Sequence, residues 1–183
     1  LLGHPVPSTT VNYTRAKVVL VGESNVGKSC LAMRLAEDRY PEDDEQGTTH
    51  GMRFWHMEPE QLSPNTVAPQ GERRDVVLWD MGGQDEYRLV HQLFLHDTTL
   101  ALVLLDPTRG RTALDEVMAW NKRLEKQLSG RQAVKLLVGA KLDESSMLID
   151  RQGIDRLKRD CGFEEFYETS ALTDRGVPKL REA

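Results

Sequence analysis

The chain has 183 residues, the size of one domain with a full core, and a formal net charge of −5. That acidic balance leaves no basic excess to neutralise a nucleic-acid backbone, although a local positive pocket for one nucleotide is compatible with it. The longest apolar run, Leu100 to Leu105, falls far short of the ~18 residues that span a bilayer, and no membrane anchor is visible; Cys30 and Cys161 read as reduced thiols of a cytoplasmic protein.

Residues 1–16, including "HPVPSTTVNYTRA", lack an apolar period and read as a linker or arm. The chain starts without methionine and stops at "GVPKLREA" as a helix begins. Residues 17–183 are therefore expected to be a domain excised from a longer chain and truncated in its last helix. "AKVVLVG" reads as a buried strand, followed by a helix beginning at Gly27 with Leu31, Leu35 and Ala36 on one side. "RYPEDDEQGTTHG" reads as a mobile loop, with Glu42 to Glu45 as a solvated face. "MRFWHM" and "RRDVVLWD" read as neighbouring antiparallel strands, with Trp55 and Trp79 as sheet-packing aromatics and a flexible excursion between them.

"TLALVLLD" and "AVKLLVGA" are continuous apolar runs, the pattern of parallel strands covered on both faces. Between them Leu114, Val117, Met118, Asn121, Leu124 and Leu128 recur at helical spacing. A later helix shows Ile154, Leu157 and Cys161 on one face, and "FYETSA" closes the series as a short strand. Strands alternating with helices give an α/β fold wound on both sides of its sheet.

Gly22 to Ser29, "GESNVGKS", matches G-x-x-x-x-G-K-[ST] between a strand and a helix, the setting the phosphate-binding loop requires. Its glycines let successive N–H groups point inward at phosphate oxygens, and the helix dipole adds to them. Lys28 can then reach the β- and γ-phosphates and the Ser29 hydroxyl can ligate Mg²⁺. Chance alone would produce such a pattern in roughly 1% of chains this long. Asp80 ends a strand beside that loop, where it suits a Mg²⁺ shell. Gly83 offers an N–H to a γ-phosphate, and the Gln84 amide follows where it could orient a water. His50, His91 and His96 form no metal-spaced cluster with cysteines.

The order "GESNVGKS", "TTHG", "WDMGGQ", "AKLD" and "TSA" resembles the Ras-like small GTPases, nearest to Rab-like and Ras-of-complex (Roc) domains, from about Lys17 onward. The resemblance implies a P-loop NTPase with a mostly parallel six-stranded sheet, helices on both faces and one antiparallel edge strand. It implies that Gly22, Asn25, Val26, Gly27, Lys28, Ser29 and Cys30 line the phosphates, and that Thr49 binds Mg²⁺ and the γ-phosphate. Asp80 and Gly83 would form a second switch with Gln84 orienting water. Lys141 would lie along the base, Asp143 would accept both guanine N–H groups, and Ser170 and Ala171 would close over its carbonyl oxygen. The implied ligands are GTP and GDP with Mg²⁺. The implied partners are effector proteins or other domains of a parent chain, with a nucleotide-dependent dimer left open.

Two positions depart from the family pattern. Alanine occupies position 140, where Asn-Lys-x-Asp is usual, and losing one buried hydrogen-bonding group costs ~1–3 kcal/mol, so affinity should weaken more than specificity. Asn25 replaces a small residue. Either it tolerates the angles of a tight loop, or it ligates K⁺, as in bacterial GTPases with "PNxGKS"-type loops. With glycine at 47, near where a cis arginine of the Gα kind would lie, unassisted hydrolysis should be slow, on the order of 10⁻⁴–10⁻³ s⁻¹. Two other readings stay open: a nucleotide-holding interaction module with little turnover, supported by Ala140, and an ATP-using P-loop kinase, which leaves Asp143 unexplained.

Overall fold

The computed structural model describes residues 12–47, 49, 51–57, 72–82, 94–142 and 149–183. Six strands form one sheet: β1 (Asn12–Val21), β2 (Met52–Met57), β3 (Glu72–Met81), β4 (Leu100–Leu105), β5 (Val134–Gly139) and β6 (Glu165–Glu168). Their order is β2-β3-β1-β4-β5-β6; β2 runs antiparallel to β3 at one edge and every other pairing is parallel. Among the described residues four α-helices accompany them: α1 (Lys28–Glu37), α2 (Arg111–Leu128), α3 (Arg151–Cys161) and α4 (Val177–Glu182). This is the expected α/β architecture.

Alternation along the central strands divides the core in two. Val19 and Val21 of β1, Ala101, Val103 and Leu105 of β4, and Leu137 of β5 face α2 and α3. Leu20, Leu102, Leu104, Leu136 and Val138 point the other way, onto α1 and α4. A continuous apolar run is thus two period-2 patterns, each covered by helices. Leu20 is wholly buried, and burying such a side chain contributes about 1.5–3 kcal/mol.

The first strand is longer than its apolar stretch suggests. Residues 12–16, within the expected linker, are part of β1 and pair in register with Glu72 to Val76 of β3. Their bonding is backbone to backbone, reinforced by an exposed ion pair of Arg15 and Asp75 at 3.9 Å. No apolar period marks them because this end of the sheet projects past the core. On α2 the buried stripe is Ala113, Val117, Trp120, Leu124 and Leu128, whereas Met118, expected on the packed face, is exposed. One residue beyond Val117 lies about 100° round the helix, which turns Met118 to solvent. Asn121 is half-buried and accepts a hydrogen bond from the buried Lys135 ammonium at 3.0 Å; that group also donates to Glu125 and to the Cys161 carbonyl.

At the β6 edge, the Phe166 N–H donates not to β5 but to Glu165 Oε1 at 2.9 Å, which also accepts from Lys158 Nζ at 2.6 Å. The parallel strands deliver their carboxyl ends to one rim, where the loops after β1 and β6 meet Gly82 after β3 and residues 140–142 after β5. Among the described residues, no helix is long and apolar enough to cross a membrane.

Candidate nucleotide site

The loop after β1 turns where only glycine fits. Gly22 has φ +149°, and a Cβ there would lie 2.7 Å from the Leu104 carbonyl oxygen of β4. Val26 is buried beneath the loop, and Gly27, at φ 102°, caps α1 without a side-chain bond. Its first N–H groups therefore have no capping side chain and remain suited to an anion. Asn25 is exposed and left-handed at φ 61°, which is what the angle-tolerance account of this residue needs.

Lys28 is buried, and its ammonium donates to the carbonyls of Gly22 at 2.9 Å and Glu23 at 2.7 Å. Burial pulls its pKa down to about 8, against the opposing charges of Asp80 and Glu23. An ammonium desolvated this far is stabilised by a multiply charged anion. It borders an open cavity of about 430 Å³, also lined by Asn25, Gly27, Ser29, Cys30 and Thr49. The Cys30 thiol is pushed up by burial, so it lines the cavity as a neutral group rather than a nucleophile.

Three oxygen-bearing side chains from separate elements meet beside Lys28. Ser29 Oγ donates to Asp80 Oδ2 at 2.6 Å, Thr49 Oγ1 donates to the same atom at 3.0 Å, and the two hydroxyls are 2.7 Å apart. Asp80 is fully buried, and its other oxygen, Oδ1, has no hydrogen-bond partner among the described residues. Two hydroxyl protons serve three close contacts, and a buried carboxylate oxygen is left over. That donor set of hard oxygens with residual negative charge fits Mg²⁺, with Ser29 and Thr49 as ligands and Asp80 in its shell. Among the described residues, no group of three or more His, Cys, Asp or Glu side chains could hold a metal. The Gly82 N–H donates to Gly51 O at 2.9 Å, tying the end of β3 to the start of β2.

On the far side of Gly27 lies a cavity of about 60 Å³ lined by Gly27, Cys30, Leu31, Tyr40, Ala140, Lys141 and Ala171, among others. Ala140 is buried at the end of β5, its Cβ 3.7 Å from where a Cβ on Gly27 would stand. The Lys141 stem crosses Gly27, its backbone is left-handed at φ 60°, and its ammonium is 3.5 Å from Asp106 Oδ2. Ser170 is wholly buried and its hydroxyl accepts from the Thr173 N–H at 3.1 Å. Ala171 lines the small cavity with its carbonyl turned to Arg34. Gly83, Gln84 and Asp143 lie outside the described residues, as do His50, His91 and the excursion between β2 and β3.

Some residues at the site carry no motif. Glu23 accepts from Trp120 Nε1 of α2 at 3.0 Å, so a core tryptophan anchors the phosphate loop. Trp120 shares the helical period of Val117 and Leu124, which is the signal that could have found it. Arg34 offers none, being a polar residue on a helix of ordinary pattern. In the acidic loop, Glu42, Asp43 and Asp44 are exposed, but Glu45 receives both terminal nitrogens of Arg39 at 2.6 and 2.8 Å.

A model described as the Ras family matches residues 17–182. Ras-related protein Rab-18-B of Danio rerio is 30% identical over 165 residues, covering 90% of this chain and 74% of that protein. Ras-related protein Rab-39A of Mus musculus is 30% identical over 169 residues, covering 88% and 72%. Ras-related protein RABE1e of Arabidopsis thaliana is 30% identical over 166 residues, covering 90% and 70%.

Proposed function

The chain belongs to the Ras family, and from that premise we propose that it is a Mg²⁺-dependent guanine-nucleotide switch that hydrolyses GTP slowly. The observation that carries this reading is the meeting of Ser29, Thr49 and the half-satisfied Asp80 beside the buried Lys28 ammonium. In the proposed mechanism Lys28 exchanges its two carbonyl partners for β- and γ-phosphate oxygens. Ser29 and Thr49 would turn their hydroxyl oxygens toward the cation, and Asp80 would support that shell. Bound Mg²⁺ neutralises charge that builds on the phosphates.

Gly83 would donate its N–H to the γ-phosphate and Gln84 would orient the attacking water, so catalysis is positioning and charge stabilisation. Asp143 would accept the two guanine donors, and Lys141, Ser170 and Ala171 would enclose the base. Loss of the γ-phosphate removes a partner of Thr49, which is how the nucleotide state would reach effector proteins. The two free cysteines support a reducing, cytoplasmic setting.

The test is single-turnover hydrolysis by protein loaded with GTP, with ATP as competitor. Expected are a preference for GTP and phosphate release on the order of 10⁻⁴–10⁻³ s⁻¹, abolished by EDTA. GTP held without phosphate release would favour the interaction module. Equal competition by ATP would sink the guanine assignment.

A further inference from the structure

One guanidinium links two loops of the nucleotide site from the back. Arg34, three-quarters of the way along α1, is largely covered, with a side chain 14% exposed. Its Nε donates to the Ala171 carbonyl at 2.8 Å and one terminal nitrogen donates to the Leu172 carbonyl at 3.4 Å. The other terminal nitrogen donates to the carbonyl of Asp38 at 2.9 Å. Asp38 is the left-handed C-cap of α1, where the chain sets out toward Thr49. Each of the three nitrogens therefore serves a different backbone carbonyl, two after β6 and one after α1. Asp174 stands 4.0 Å from Nε.

The loop after β6 has its own internal bonds, Ser170 N–H to Arg175 O at 2.9 Å and Thr173 N–H to Ser170 Oγ at 3.1 Å. These fold it upon itself but do not fix it against the phosphate loop. Of its described hydrogen bonds to α1, the element that begins at Lys28, those from Arg34 are the ones that do. Fixing the Ala171 carbonyl also fixes the Leu172 N–H, which shares its planar peptide unit, and anchors the Cα beside the Ala171 N–H.

We propose that Arg34 is a positioning residue for base recognition: by clamping the Ala171 and Leu172 carbonyls it sets the backbone N–H groups of the loop at the distance and angle at which they meet the carbonyl oxygen of a guanine. The inference rests on the guanine-nucleotide reading of the site. Adenine carries an amine where guanine carries that oxygen, so a well-placed N–H rewards one base and opposes the other. A loop free to drift would lose that distinction. The planar, forked guanidinium suits the task, since it spreads its donors over three nitrogens in a rigid plane, whereas a lysine ammonium carries all its donors on one atom.

The experiment measures the dissociation constants of GDP and ADP by competition against a fluorescent guanine nucleotide in Mg²⁺. Arg34→Ala should cut the preference for GDP over ADP about tenfold, the effect of losing roughly one charge-assisted contact, and Arg34→Lys should fall between it and the native protein. A general loosening of the fold would weaken both nucleotides equally and leave their ratio untouched. Arg181→Ala is the control. Among the described residues the hydrogen bonds of Arg181 go to the Arg34 backbone carbonyl and to Asp38, and none to the Ala171 loop, so its ratio should be native. If Arg34→Ala does not fold, the lysine variant carries the test. A native GDP-to-ADP ratio in a folded Arg34 variant overturns the proposal alone. A native protein that binds both nucleotides equally overturns the guanine reading on which it stands.

Discussion

Ser29 Oγ donates to Asp80 Oδ2 at 2.6 Å although the two residues are 51 positions apart, and the second oxygen of that fully buried carboxylate has no partner among the described residues. In the proposed reading the pair is half of a cation shell. Contacts to a charged group contribute about 1.5–3 kcal/mol, so removing Mg²⁺ with EDTA should speed GDP release about tenfold or more. In Asp80→Asn the acceleration should largely disappear. A variant as sensitive to EDTA as the native protein would exclude Asp80 from the metal shell.

Lys28 gives a pH dependence whose sign follows from its burial. Its pKa falls from 10.5 to about 8 in the fold, so between those values the unfolded chain binds the extra proton and stability rises with pH. The lysine therefore weighs against the nucleotide-free fold below about pH 8, and that burden lifts toward pH 10. The difference amounts to about 3 kcal/mol. Urea melts of nucleotide-free protein at pH 7 and 9.5 should show the gain, and Lys28→Met should lose it while failing to bind GTP. Bound phosphates should erase it in the native protein by restoring the charge.

Ala140→Asn should tighten nucleotide binding. The alanine faces Gly27 across a cavity of about 60 Å³, so there is space for a larger side chain reaching the phosphate loop. One such bond contributes ~0.5–1.5 kcal/mol net, and GDP release should slow several-fold. An unchanged or faster off-rate would mean that this corner is rebuilt around alanine.

Gly22→Ala tests the junction of loop and sheet. Its Cβ would meet the Leu104 carbonyl at 2.7 Å in a backbone conformation that side chains disfavour. Neither strand can retreat without breaking the β1–β4 ladder, so a loss of about 2–3 kcal/mol is expected. Thermal melting should show it as a drop of roughly 5–10 °C.

What the sequence made legible follows from how the information is written in it. The central strands and the phosphate loop are local patterns, and they emerged where the apolar runs and the glycines placed them. Ser29 and Asp80 are each legible from their places beside the phosphate loop, whereas Thr49 joins them only through a resemblance, because no local rule ties its loop to theirs. Residues 12–16 escaped because backbone pairing with β3, not side-chain burial, makes them strand. Met118 lies off the packed face because six residues at helical spacing, five of them apolar, span more than one face, while the helix buries a stripe centred on Val117, Trp120 and Leu124. Arg34 was invisible because its partners are backbone carbonyls, which no residue type announces.

The Glu165 carboxylate at the far edge of the sheet has a consequence for growth rather than for chemistry. An open strand is a template for a neighbouring molecule, since its free N–H groups invite another chain to dock. Here the Phe166 N–H is already occupied by the Glu165 side chain. Its lysine partner, Lys158, first of all, and the Phe166 N–H after it hold that carboxyl below the ordinary range. Acidification must therefore go further than usual before the cover is neutralised. The protein covers this edge of its sheet with a charged latch, which works against self-pairing along this margin.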